Sequence, residues 1–107
     1  MKPNKDLTLT VRFHARPGHA AELEAALTEL AGASRKDLGC LRYDLYRGGE
    51  GEVLLLEHWA GRAYLEQHLA QAHVRRFRDR AEELFAAPSE LLEWEAFDLT
   101  EPRTEDQ

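Results

Sequence analysis

Val53, Leu54, Leu55 and Leu56 follow one another with no polar residue between them. Successive side chains of a strand point to opposite faces, so this run places apolar groups on both sides of a sheet. Leu91, Leu92, Trp94, Ala96 and Phe97 do much the same near the end of the chain. Between such strands lie segments of other periods. Leu7, Leu9, Val11, Phe13 and Ala15 alternate with Thr8, Thr10, Arg12 and His14, which predicts a first strand over about 7–15. Leu23, Ala26, Leu27 and Leu30 recur at helical spacing after Pro17-Gly18, predicting a helix over about 19–35. Strands over about 40–47 and 52–59 flank the loop Gly48-Gly49-Glu50-Gly51. A long helical region over about 62–86 carries Leu65, Leu69, His73, Phe77, Ala81 and Leu84 as one stripe, and Pro88 stops it before a last strand at about 90–99.

The order β-α-β-β-α-β is the ferredoxin-like pattern, an α+β fold with an antiparallel sheet. Both helices of that pattern cover one sheet face, and an apolar second face needs a cover of its own. A symmetric partner laid sheet against sheet is the economical cover, so the pattern predicts a homodimer through the sheet face. One domain over 7–99 is expected, preceded by a flexible 1–6 and followed by a polar tail over 100–107.

The net charge of −6 excludes general nucleic-acid binding, which requires a concentrated basic surface. Arg75, Arg76, Arg78 and Arg80 cluster, but a solvated helix face accounts for them. No apolar stretch approaches the ~18 residues of a membrane span. The single Cys40 fits a reducing compartment, and the polar start runs into the first strand without an apolar signal region, so a cytoplasmic location is expected.

The segment Val53-Leu-Leu-Leu-Glu57-His-Trp59, then Tyr64-Leu65-Glu-Gln-His68, then Ala72-His73-Val-Arg-Arg-Phe77, resembles the hallmark stretch of antibiotic biosynthesis monooxygenases. That stretch has an apolar strand ending in Glu-x-Trp, a helix bearing His, and a second His followed four residues later by Phe. The chain departs from it at Ala72, where Pro commonly precedes the second His, so a less sharply broken helix is expected. The resemblance implies a dimeric α+β barrel with a pocket between sheet and helices. It also implies oxidation of a quinol or other phenolic aromatic by molecular oxygen, with neither metal nor flavin.

Such a reaction needs an apolar pocket, a group that takes the phenolic proton, and donors that steady the anion. His68 is the candidate proton acceptor, because its ordinary pKa lies near neutrality and it sits at the edge of the apolar stripe. His73 lies within the stripe, with Glu57 as a possible hydrogen-bond partner. Trp59 and Tyr64 match aromatic positions that line the pocket of phenol-oxidising members. Phe77, Arg42, Tyr43 and Tyr46 are candidates for substrate contact, the last three as donors to a phenolate. For each of these, packing within the fold is the competing explanation.

Five His raise the question of a metal. On a continuous helix, His68 and His73 would stand about 140° apart and share no face, and no zinc-type spacing appears. No metal is expected. Haem-degrading relatives carry an Asn, a Trp and a His where this chain reads Val11, His68 and Arg78, so haem chemistry is not expected either. Two other readings compete with oxygenation: a non-catalytic dimer that binds a small ligand, and an isomerase or lyase acting on a small sugar or keto acid.

Overall fold

A computed structural model describes residues 5–100. Residues 1–4 and most of the expected polar tail lie outside the described residues. The elements run β1 (Leu7–His14), α1 (Ala20–Ser34), β2 (Cys40–Arg47), β3 (Glu52–Trp59), α2 (Arg62–Leu69), α3 (Ala72–Arg78), α4 (Ala81–Leu84) and β4 (Glu90–Trp94). The strands form one antiparallel sheet in the order β2-β3-β1-β4. The α+β, ferredoxin-like arrangement expected from the pattern is therefore present.

Alternation decides what each face carries. Leu7, Leu9, Val11 and Phe13 of β1 and Val53, Leu55, Glu57 and Trp59 of β3 all point to the helix side and are buried. Leu23, Leu27 and Leu30 of α1 close over them. The other face carries Thr8, Thr10 and Arg12 from β1, Leu54, Leu56 and His58 from β3, Arg42, Asp44 and Tyr46 from β2, and Leu92 and Trp94 from β4. It is thus mixed: an apolar centre edged by ion pairs such as Arg12–Glu52 at 3.0 Å. Within the sheet, Trp94 Nε1–H donates to Thr10 Oγ1 at 2.7 Å.

Two expectations change. The last strand ends at Trp94, leaving Ala96 and Phe97 outside it. Its partner β1 begins at Leu7, and Thr8 already pairs with Trp94, so no further strand remains to pair with. The long second helix is three helices. Gln71 is extended (φ −72°, ψ 149°) and breaks the run without Pro or Gly, contrary to the softer break expected from Ala72.

Candidate active site

The break at Gln71 shapes the interior. On one continuous helix His68 and His73 would diverge. Here α2 delivers His68 and the separately oriented α3 delivers His73 to a single acceptor. His68 Nδ1 lies 2.7 Å and His73 Nε2 lies 2.9 Å from Oδ2 of Asp37, in the turn between α1 and β2. The expectation that these two His cannot meet is corrected, and its cause is the break. Glu57, offered above as a partner for His73, instead accepts a 2.9 Å bond from Trp59 Nε1–H. Neighbours two apart on a strand share a face, which makes this pairing the local one.

Beside His68 the sheet and helices form a half-open cavity of about 240 Å³. Its walls are largely apolar: Val11 and Phe13 of β1, Leu55 of β3, Phe77 of α3, Phe85 and Leu91. Phe13, Phe77 and Phe85 pack mutually, with ring centroids 5.3–5.8 Å apart. Tyr43, Glu57, His68 and Arg78 bring polar groups to this lining. A small apolar chamber with a few converging polar groups is the usual form of a small-molecule site.

Burial sets the chemistry of these groups. It holds the His68 imidazole below its ordinary pKa, against the opposing pull of Asp37. It pushes the Glu57 carboxyl up, while the Trp59 hydrogen bond works the other way. It also drives the Tyr43 phenol well above its usual range, with Glu57 adding to the effect. The buried Ser34 hydroxyl acts on that phenol in the other direction, though it makes no hydrogen bond of good geometry. His68 is only 2% exposed, and its Nε2 makes no hydrogen bond among the described residues.

The candidates named from sequence separate into groups. His68, Tyr43 and Phe77 line the cavity. Trp59 is fully buried directly behind His68, ring centroids 4.5 Å apart, and supports that imidazole. His73 faces a shallow outer cleft with Glu29 and Arg76, touching the site through Asp37. Tyr64 covers Gly39 and borders a wider outer cleft of about 890 Å³. That cleft is larger than the cavity, but charged groups already paired with each other line it, among them Lys5 with Glu95 and Arg62 with Glu93. Arg42 and Tyr46 project from the opposite sheet face, 3.4 Å apart, because they alternate with Tyr43 and Leu45 along β2.

Sequence reasoning missed Asp37, Arg78 and the cavity role of Glu57. Glu57 was detectable, since it is the one charge in phase with Val53, Leu55 and Trp59. Asp37 sits in a turn with no periodicity to mark it. Asp37, His68 and His73 also place three possible metal-ligand atoms within 4.8 Å of one another. In the geometry seen, both ring nitrogens are at hydrogen-bond distance from the carboxylate, which accounts for the cluster without an ion.

The family model for antibiotic biosynthesis monooxygenase matches residues 7–80. Rv0793 of Mycobacterium tuberculosis is 31% identical over 83 residues, covering 77% of this chain and 82% of that protein. YcnE of Bacillus subtilis is 28% identical over 91 residues, covering 83% and 96%. Among solved structures, PA3566 of Pseudomonas aeruginosa superimposes with a TM-score of 0.84 at 31% identity, over 92% of this chain and all of that one.

Proposed function

As the chain belongs to the antibiotic biosynthesis monooxygenase family, we propose that it oxidises a quinol or other small phenolic aromatic with molecular oxygen inside the helix-side cavity, without a cofactor. The observation that carries this reading is the single imidazole, His68, whose Nδ1 is engaged by Asp37 while Nε2 is left for a ligand in an aromatic-walled chamber. A neutral imidazole with a lowered pKa suits a base that must be unprotonated when substrate arrives.

In this reading the substrate hydroxyl gives its proton to His68 Nε2, and Asp37 steadies the resulting imidazolium. Arg78 supplies positive charge for the phenolate. The electron-rich anion passes one electron to O2, and the substrate radical and superoxide join at an activated ring carbon. The proton held by His68 returns to the peroxide, and loss of water from the hydroperoxide turns that ring C–H carbon into a carbonyl. One oxygen atom stays in the product and the other leaves as water. An apolar, aromatic lining favours this chemistry over a small-sugar or keto-acid reaction, which would need a more polar chamber.

The test is oxygen uptake by metal-stripped protein over a panel of quinols and anthrones, with His68→Gln in parallel. Uptake that falls about 10²–10⁴-fold in the variant, the usual contribution of a positioned base, supports the reading. No uptake across the panel sinks it and leaves the ligand-binding or isomerase alternatives.

We further propose a homodimer through the open sheet face. Tyr46, Leu92 and Trp94 there are about half exposed, at 47%, 55% and 52%, and they adjoin Leu54 and Leu56. A neighbouring set of large apolar groups is unusual on a solvated surface and usual at an interface. The lone Cys40 supports placing the dimer in the reducing cytoplasm. No helix among the described residues is long and apolar enough to cross a membrane.

A further inference from the structure

We propose that Asp37 is a positioning residue that locks His68 in the tautomer with a proton on Nδ1, delivering a proton-accepting Nε2 to the cavity, and that His73 holds the carboxylate in place from its outer side. The proposal rests on the reading of His68 as the base.

A neutral imidazole has one donating and one accepting nitrogen, and the partner of the first fixes the role of the second. Asp37 Oδ2 is the only hydrogen-bond partner of the His68 ring among the described residues, at 2.7 Å. That same oxygen takes a second bond, from His73 Nε2 at 2.9 Å, so two imidazoles converge on it from different helices. The carboxylate is 11% exposed, the His68 and His73 side chains 2% and 16%. It has little freedom to swing away.

The backbone beneath it is equally fixed. Asp37 N–H donates to Ser34 O at 2.9 Å, Cys40 N–H donates to Asp37 O at 3.1 Å, and Ala60 N–H reaches Gly39 O at 2.8 Å. The other charged or titratable groups around the His68 imidazole are Glu57 on β3, Tyr43 on β2, and Arg78 on α3. Glu57 is engaged by Trp59, and none of the three bonds to His68. The choice of tautomer therefore falls to Asp37. A carboxylate that orients a base in this manner acts through the base, and its loss is felt mainly in the chemical step.

The experiment is 15N NMR of histidine-labelled, substrate-free protein at neutral pH, with the His68 ring signals identified by their loss in His68→Gln. The wild type should show a protonated Nδ1 and a bare Nε2 at His68. Asp37→Leu removes the acceptor, so the preference for a proton on Nδ1 should be lost. Alongside, its kcat on any substrate found should fall about 10²–10⁴-fold, with KM changed only a few-fold. A wild-type His68 protonated on Nε2 overturns the proposal, as does an Asp37→Leu protein whose His68 stays protonated on Nδ1. One tightly bound metal ion per chain that disappears in His73→Gln also overturns it, because a coordinated Nδ1 carries no proton. The wild-type signals need no variant and no turnover. A poorly folding variant thus leaves them decisive, and a failed search for a phenolic substrate is told apart from a wrong tautomer.

Discussion

His68 and Glu57 face the same cavity from opposite layers, and burial shifts them in opposite directions. The imidazole is held below its ordinary 6.5, so the folded chain resists protonation there. As pH falls below 6.5 and through that depressed value, the unfolded chain binds the proton more readily and stability declines. The Glu57 carboxyl is held above its ordinary 4.5, so the unfolded chain gives up that proton first. Stability tied to the neutral carboxyl is present below 4.5 and lost as pH rises through the raised value. At pH 8 the buried Glu57 carboxyl therefore costs the wild type stability that it does not cost at pH 4.5. Glu57→Gln keeps an acceptor for Trp59 Nε1–H and removes the charge. Its Tm at pH 8 should exceed the wild type's, at roughly 4–8 °C for each kcal/mol relieved, and the gap should close towards pH 4.5. Thermal unfolding at the two pH values checks this, and a variant less stable at both contradicts it. By the opposite sign, His68→Gln should lose less stability than the wild type between pH 7 and pH 5, as read by urea midpoints.

The elements vary in how plainly they were written. Four strands were legible because their signals are local: Leu7 to Phe13 announces its period and buried face by alternation, and Val53 to Leu56 announces a strand apolar on both faces. Helix α1 was legible from Leu23, Ala26, Leu27 and Leu30 for the same reason. The second helical region was not, because its break at Gln71 carries no Pro or Gly and is set by tertiary contact. His68 and His73 reach one carboxylate only if the helix turns between them. Hence Tyr43 and Phe77 were named as site candidates from the chain, whereas Asp37, in a turn far from both His, was not. The turn that holds Asp37 has its own test. Gly39 sits at φ +80°, and a Cβ there would lie 2.2 Å from Tyr64 Cγ. Gly39→Ala should destabilise by about 2 kcal/mol or more, combining the left-handed penalty of ~1–2 kcal/mol with displacement of the ring. A urea midpoint equal to wild type would show that the turn relaxes without cost.

At the scale of the whole molecule, two sheet faces have two tasks. The helix side holds the cavity, and the open side carries Leu54, Leu56, Leu92 and Trp94, the face proposed to pair with a second copy. Sedimentation at micromolar concentration should give twice the 12.2 kDa of one chain. Leu56→Glu, at the centre of that face, should give one chain's mass and keep the fold, because its side chain points away from the helix-side core. A wild type that sediments as a single chain contradicts the pairing. Oxygenation is the claim on which the functional account turns, and the fate of O2 tests it most directly. Turnover of an anthrone under 18O2 in ordinary water should yield product carrying one labelled oxygen atom per molecule. Product without label, or hydrogen peroxide released in equal amount to substrate consumed, would contradict the account.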